Sequence, residues 1–130
     1  VVREKMSLCY AIGSGYYGSK GIMTVSAGID CDKEPLVRGE VLRQLALCQR
    51  GEITPAELEA AREAVLSSLR GVHDSPGAIE GFYATGALSG LNRDPQRYME
   101  EIRAVKLEDV VEAAKTVKLH TTYFLKGVGV

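Results

Sequence analysis

Arg3 and Tyr10 have the residue types and the spacing to act on a polypeptide carbonyl. The run Val2-Arg3-Glu4-Lys5-Met6-Ser7-Leu8 reads as the end of a helix, which passes through Cys9 into a strand opening at Tyr10. A guanidinium on the last turns of a helix and a phenol at the head of the next strand can project to the same side of that junction. Together they would supply fixed hydrogen-bond donors to a carbonyl oxygen that gains charge when a peptide bond is attacked. The plainer account is structural. An Arg near a helix C-terminus is favoured by the macrodipole, and Tyr is a good strand residue.

Other chemistries find less support. A zinc hydrolase needs two His and a carboxylate on adjacent helical turns, with a Glu placed to activate the metal-bound water. The chain has only His73 and His120, far apart and without such a Glu. His73, beside Asp74 and Ser75-Pro76, reads as a loop residue, and His120 as a strand residue. No metal ligand and no catalytic residue is assigned to this chain. Gly13-Ser14-Gly15-Tyr16-Tyr17-Gly18 matches the dinucleotide pattern G-x-G-x-x-G, but that motif works by opening a helix onto the pyrophosphate. Here a strand follows, so the glycines suit a twisted hairpin or the close approach of a peptide. Ser67-Ser68 lies inside a helix, Cys9 has no neighbouring base, and the pairs Glu57/Glu59 and Glu100/Glu101 suit helix starts and solvated faces.

Composition narrows the class further. With 130 residues the chain forms one domain, residues 1–130, able to bury a single core. Its formal net charge is -1, with both signs spread along the chain, which argues against a nucleic-acid partner. No apolar run approaches the roughly 20 residues of a membrane span, and no signal peptide is visible. Cys9, Cys31 and Cys48 are odd in number, lack C-x-x-C spacing and have apolar neighbours, which points to reduced, buried thiols in a cytoplasmic protein. The chain opens Val1-Val2 without an initiating Met, and is expected to belong to something longer.

The elements that would position Arg3 and Tyr10 follow from periodicity. Residues 10–17 and 22–29 alternate as antiparallel strands around Gly18-Ser19-Lys20-Gly21. Met23, Val25, Ala27 and Ile29 form an apolar face in need of cover. Helices are predicted to provide it. Val37, Val41, Leu45 and Cys48 recur at helical spacing and stop at Gly51. Thr54-Pro55-Ala56-Glu57 is a capping box with Pro at the first helical position. It opens a helix with Leu58, Ala61, Val65, Leu69 and Val72 on one face. Further helices are expected after Ser75-Pro76, with Gly86 and Ala87 where another backbone could approach, and after Asp94-Pro95, with Tyr98, Ile102 and Val105 inward. A last helix presents Leu107, Val110, Val111 and Ala114. Residues 119–125, β-branched and aromatic, read as a third strand. The fold class is therefore α+β, an antiparallel sheet with helices packed on one face.

The junction residues, followed by Gly21-Ile22-Met23-Thr24-Val25, resemble a known signature. Thr54-Pro55-Ala56-Glu57-Leu58-Glu59 and Leu107-Glu108-Asp109-Val110 extend the likeness across nearly the whole chain. It resembles the pitrilysin/insulinase (inverzincin) family of zinc metallopeptidases, processing peptidases included, in the latter part of the C-terminal domain that does not bind zinc. Ser7-Leu8-Cys9-Tyr10 stands where that family often has Gly-Leu-Ala-Tyr, and Lys106 where it usually has Ser or Thr.

The resemblance implies that Arg3 and Tyr10 contact the substrate carbonyl from the domain opposite the zinc, whose H-x-x-E-H ligands would lie in another domain or a partner subunit. It implies no cofactor in this chain, and as partners a peptide or unfolded polypeptide and a zinc-binding domain or subunit of the same family. It equally admits a proteolytically inert homologue serving as a partner or structural subunit. Because the family's domain has further strands before this point, the chain alone is expected to self-associate, as a two-fold dimer.

Overall fold

The structure, a computed structural model, describes residues 9–91 and 93–127. Arg3 and the helix expected over residues 2–8 lie outside the described residues. β1 (Ala11–Tyr17) and β2 (Ile22–Gly28) pair antiparallel, with Ala11 opposite Gly28 and Tyr17 opposite Ile22. A 3-10 turn at Gly18–Lys20 joins them and closes on Gly21 at φ 61°, a left-handed value that would strain a side chain. The register gives the hairpin two unlike faces. Ile12, Ser14 and Tyr16 share one with Ala27, Val25 and Met23; Ala11, Gly13 and Gly15 share the other with Gly28, Ser26 and Thr24.

A 3-10 turn at Cys31–Lys33 leads into α1 (Glu34–Gln49), followed by α2 (Pro55–Arg70), α3 (Pro76–Leu88), α4 (Pro95–Ala104) and α5 (Leu107–Thr116). The starts are fixed as their sequences require. Thr54 Oγ1 accepts from the Glu57 N–H at 3.2 Å, and the Glu57 carboxylate accepts from the Thr54 N–H at 2.9 Å. Ser75 and Asp94 cap α3 and α4 by accepting from the N–H groups of Ala78 and Arg97, each with Pro at the first helical position. Lys106 has no acceptor to offer α5. That helix is held from within instead, by Asp109 accepting from the Lys106 N–H at 2.8 Å.

The helices pack mainly on one another, α1 with α5 and α2 with α4. Leu66, Leu69 and Met99 form the buried core, with Phe82, Tyr98 and Ile102 packed against it. Val37 is buried on α1, and Leu107, Val110, Val111 and Ala114 are half-buried on α5, as their spacing predicts. Two long side chains satisfy carbonyls at the ends of neighbouring helices. Gln49 Nε2 donates to the carbonyls of Ala114 and Val117, and Arg62 Nη2 to that of Val105. Gly86 permits the expected close approach, since a Cβ there would lie 2.9 Å from the Leu91 carbonyl oxygen.

The α+β class stands, with three differences from the sequence reading. The inward stripe of α2 runs through Leu66, which is 2% exposed, while Val65 is 42% exposed. Arg62 lies on that stripe and hides it from a count of apolar residues, its stem packing inward while its head reaches Val105. Residues 117–127 contain no strand. β-branched composition yields a strand only where an edge accepts it, and among the described residues β1 and β2 pair only with each other. Finally, every residue of β2 is exposed, so the described helices do not cover Met23, Val25 and Ala27. Among the described residues no helix is long and apolar enough to cross a membrane.

Candidate functional site

Tyr10 sits immediately before β1 and is tied to the end of β2 by its backbone, the Tyr10 N–H donating to the Gly28 carbonyl at 2.8 Å. The residue is 70% exposed. The phenol is not free, however. Its hydroxyl donates to Asp30 Oδ1 at 2.6 Å, and Asp30 Oδ2 in turn meets Lys33 Nζ at 2.8 Å. Antiparallel pairing produces this cluster, because the residues that leave β2 emerge beside those that enter β1.

The electrostatics agree with the geometry. The hydrogen bond to Asp30, then the carboxylate's charge, raise the Tyr10 pKa above its usual value. Lys33 first, and Tyr10 second, hold the Asp30 carboxyl below its usual range. Asp30 raises the Lys33 ammonium. The cluster is therefore a neutral phenol, a carboxylate and an ammonium in a row. A phenol has one proton to donate. In this arrangement it goes to Asp30.

Arg3, the other sequence-derived candidate, lies outside the described residues, so the pair's mutual geometry is not described. Asp30 and Lys33 escaped the sequence reading although the signal was present. A turn centred on Gly18 to Gly21 sets Tyr10 across from Ile29, and the next residue is an acid.

The remaining candidates are dispersed. His73 is exposed in the 3-10 turn Gly71–Asp74, and His120 Nδ1 contacts its neighbour Thr121 Oγ1 at 2.7 Å. Among the described residues no group of three or more His, Cys, Asp or Glu side chains could hold a metal ion, so their donor set does not fit zinc. The three cysteines are free thiols. Cys9 and Cys48 are half-buried, whereas Cys31 is exposed, against the expectation that all three would be buried. Gly13 and Gly15 lie within β1 and open no helix, which removes the structural basis for dinucleotide binding.

A buried acid elsewhere is also accounted for. Glu40 on α1 accepts two hydrogen bonds from Arg43 and one from Gln44, all at 2.7 Å. These partners, Arg43 foremost, hold its pKa down to about 2. Such an acid serves as a structural anion rather than a proton carrier.

No family model matches the chain. It is 25% identical over 126 residues to the probable inactive metalloprotease YmfF of Bacillus subtilis (strain 168), across 97% of this chain and 30% of that protein. It is 27% identical over 119 residues to a Rickettsia bellii (strain RML369-C) protein named an uncharacterized zinc protease, across 89% of this chain and 29% of that protein. The chain is metallopeptidase-like. It spans less than a third of the length of these curated relatives.

Solved structures share the fold. A conserved protein from Enterococcus faecalis V583 superposes with a TM-score of 0.76 at 27% identity, over 88% of this chain and 27% of that one. A protease from Helicobacter pylori superposes with a TM-score of 0.71 over 88% of this chain and 28% of that one. At 18% identity the second match speaks to the fold alone.

Proposed function

We propose that this metallopeptidase-like chain is the polypeptide-binding, zinc-free part of a pitrilysin-type peptidase, in which Arg3 and Tyr10 grip the substrate carbonyl while zinc sits in another domain or subunit. The observation that carries this reading is the relation to metalloprotease-named proteins. Tyr10 adds to it, as an exposed phenol fixed at the mouth of a hairpin. The partners that follow are an extended polypeptide and a zinc-binding domain or subunit of the same family. The exposed apolar face of the hairpin, with Tyr16, Met23 and Val25, suits a further partner surface or a second copy of the chain. Free thiols fit a reducing compartment such as the cytoplasm.

The name of the Bacillus relative favours a second reading, that the whole protein is a proteolytically inert partner subunit. Both readings keep polypeptide binding and differ in cleavage. Arg3→Ala and Tyr10→Phe in the full-length protein, assembled with its zinc-bearing partner where one is required, separate them. Under the first reading each lowers peptide turnover by about two to three orders of magnitude, as removal of an oxyanion donor does. An unchanged rate in both variants removes the proposed role. Absence of any wild-type cleavage, with polypeptide binding retained, selects the inert reading.

A further inference from the structure

Asp30 and Lys33 belong to no role derived so far, yet they determine what Tyr10 can do. The phenol proton is committed to Asp30 at 2.6 Å, and Lys33 at 2.8 Å holds that carboxylate in place. A tyrosine recruited as a donor to a substrate carbonyl cannot serve both acceptors at once. Its oxygen cannot remain beside Asp30 after the proton turns away either, because two acceptor oxygens would then face each other without a hydrogen between them.

We infer that Asp30, braced by Lys33, is a latch on Tyr10: it competes with the bound polypeptide for the phenol hydrogen, and binding requires Tyr10 to leave it. The inference rests on the polypeptide-binding reading above. The parts can move as it demands. Tyr10 is 70% exposed, and its backbone bond to the Gly28 carbonyl does not involve the side chain, so a change of rotamer leaves the pairing of β1 with β2 intact. Asp30 keeps its Lys33 partner when Tyr10 departs, so no charge is left unpaired. Among the described residues, the charged groups that act on Tyr10 are Asp30, Lys33 and Asp32, all on the segment between β2 and α1. Of these three, Asp30 lies within hydrogen-bonding distance.

The test measures binding of fluorescein-labelled, reduced and carboxymethylated α-lactalbumin, an extended polypeptide, to the full-length protein by fluorescence anisotropy. Asp30→Ala is expected to tighten Kd by about three- to tenfold, the worth of one competing hydrogen bond. Asp30→Asn, which keeps a weaker neutral acceptor, is expected to tighten it less. Tyr10→Phe is expected to weaken binding, and Asp30→Ala added to Tyr10→Phe to change nothing further, because the latch acts only through the phenol. If Tyr10→Phe weakens binding while Asp30→Ala leaves it equal or weaker, the latch is overturned and the polypeptide-binding role of Tyr10 survives. Equal tightening by Asp30→Ala with and without the phenol also overturns the latch, reducing the effect to lost negative charge. If Tyr10→Phe changes nothing, the role and the latch fall together.

Discussion

Leu66, towards the C-terminal end of α2, is 2% exposed; Tyr16, next to the last residue of β1, is 73% exposed. The helical region closes on itself. Its helices pair, buried side chains of α2 and α4 meet in Leu66, Leu69 and Met99, and side chains of one helix satisfy the carbonyl ends of another. The hairpin has a backbone ladder, exposed side chains and a glycine-rich strand. The helices supply the stability, and the hairpin presents groups that the described chain leaves unused. That division suits a binding surface, because exposed backbone and apolar side chains are what an extended polypeptide or an adjoining sheet engages.

The contrast breaks most sharply under core truncation. Leu66→Ala should lower stability by about 2–5 kcal/mol, read as the shift in a urea transition followed by helical circular dichroism. Tyr16→Ser on the hairpin should stay within about 0.5 kcal/mol in the same assay. Comparable losses at both sites would mean that the hairpin shares the core after all.

A smaller effect sharpens the comparison through Glu40. Its folded pKa, about 2, lies below the ordinary carboxylate value of 4.5. Its stabilising contribution is therefore fully present above the ordinary value and is lost as pH falls from there through about 2. Glu40→Gln should lower Tm at neutral pH, by the equivalent of roughly 1–3 kcal/mol, and flatten the acid limb of a Tm-versus-pH curve. An acid limb as steep in the variant as in the wild type would place the acid sensitivity elsewhere.

Much of the helical region was legible in the sequence because its signals are local. Thr54 with Glu57, Ser75 with Pro76 and Asp94 with Pro95 each mark a helix start through atoms within three residues of one another. What escaped depended on distant partners. Arg62 reads as a surface charge until the Val105 carbonyl is placed beside it. Residues 119–125 read as a strand because composition reports a preference but not the edge that would satisfy it. The site divides the same way. Tyr10 stood out by type and position, whereas Asp30 and Lys33 matter only because the hairpin returns them to its side.

On the proposed reading the hairpin, and not the helical layer, receives the polypeptide. Amide hydrogen exchange of the full-length protein, with and without saturating carboxymethylated α-lactalbumin, tests it directly. Binding should slow exchange across residues 10–28 and leave α2 and α4 unchanged. Unchanged exchange in the hairpin, or protection confined to α2 and α4, would contradict it.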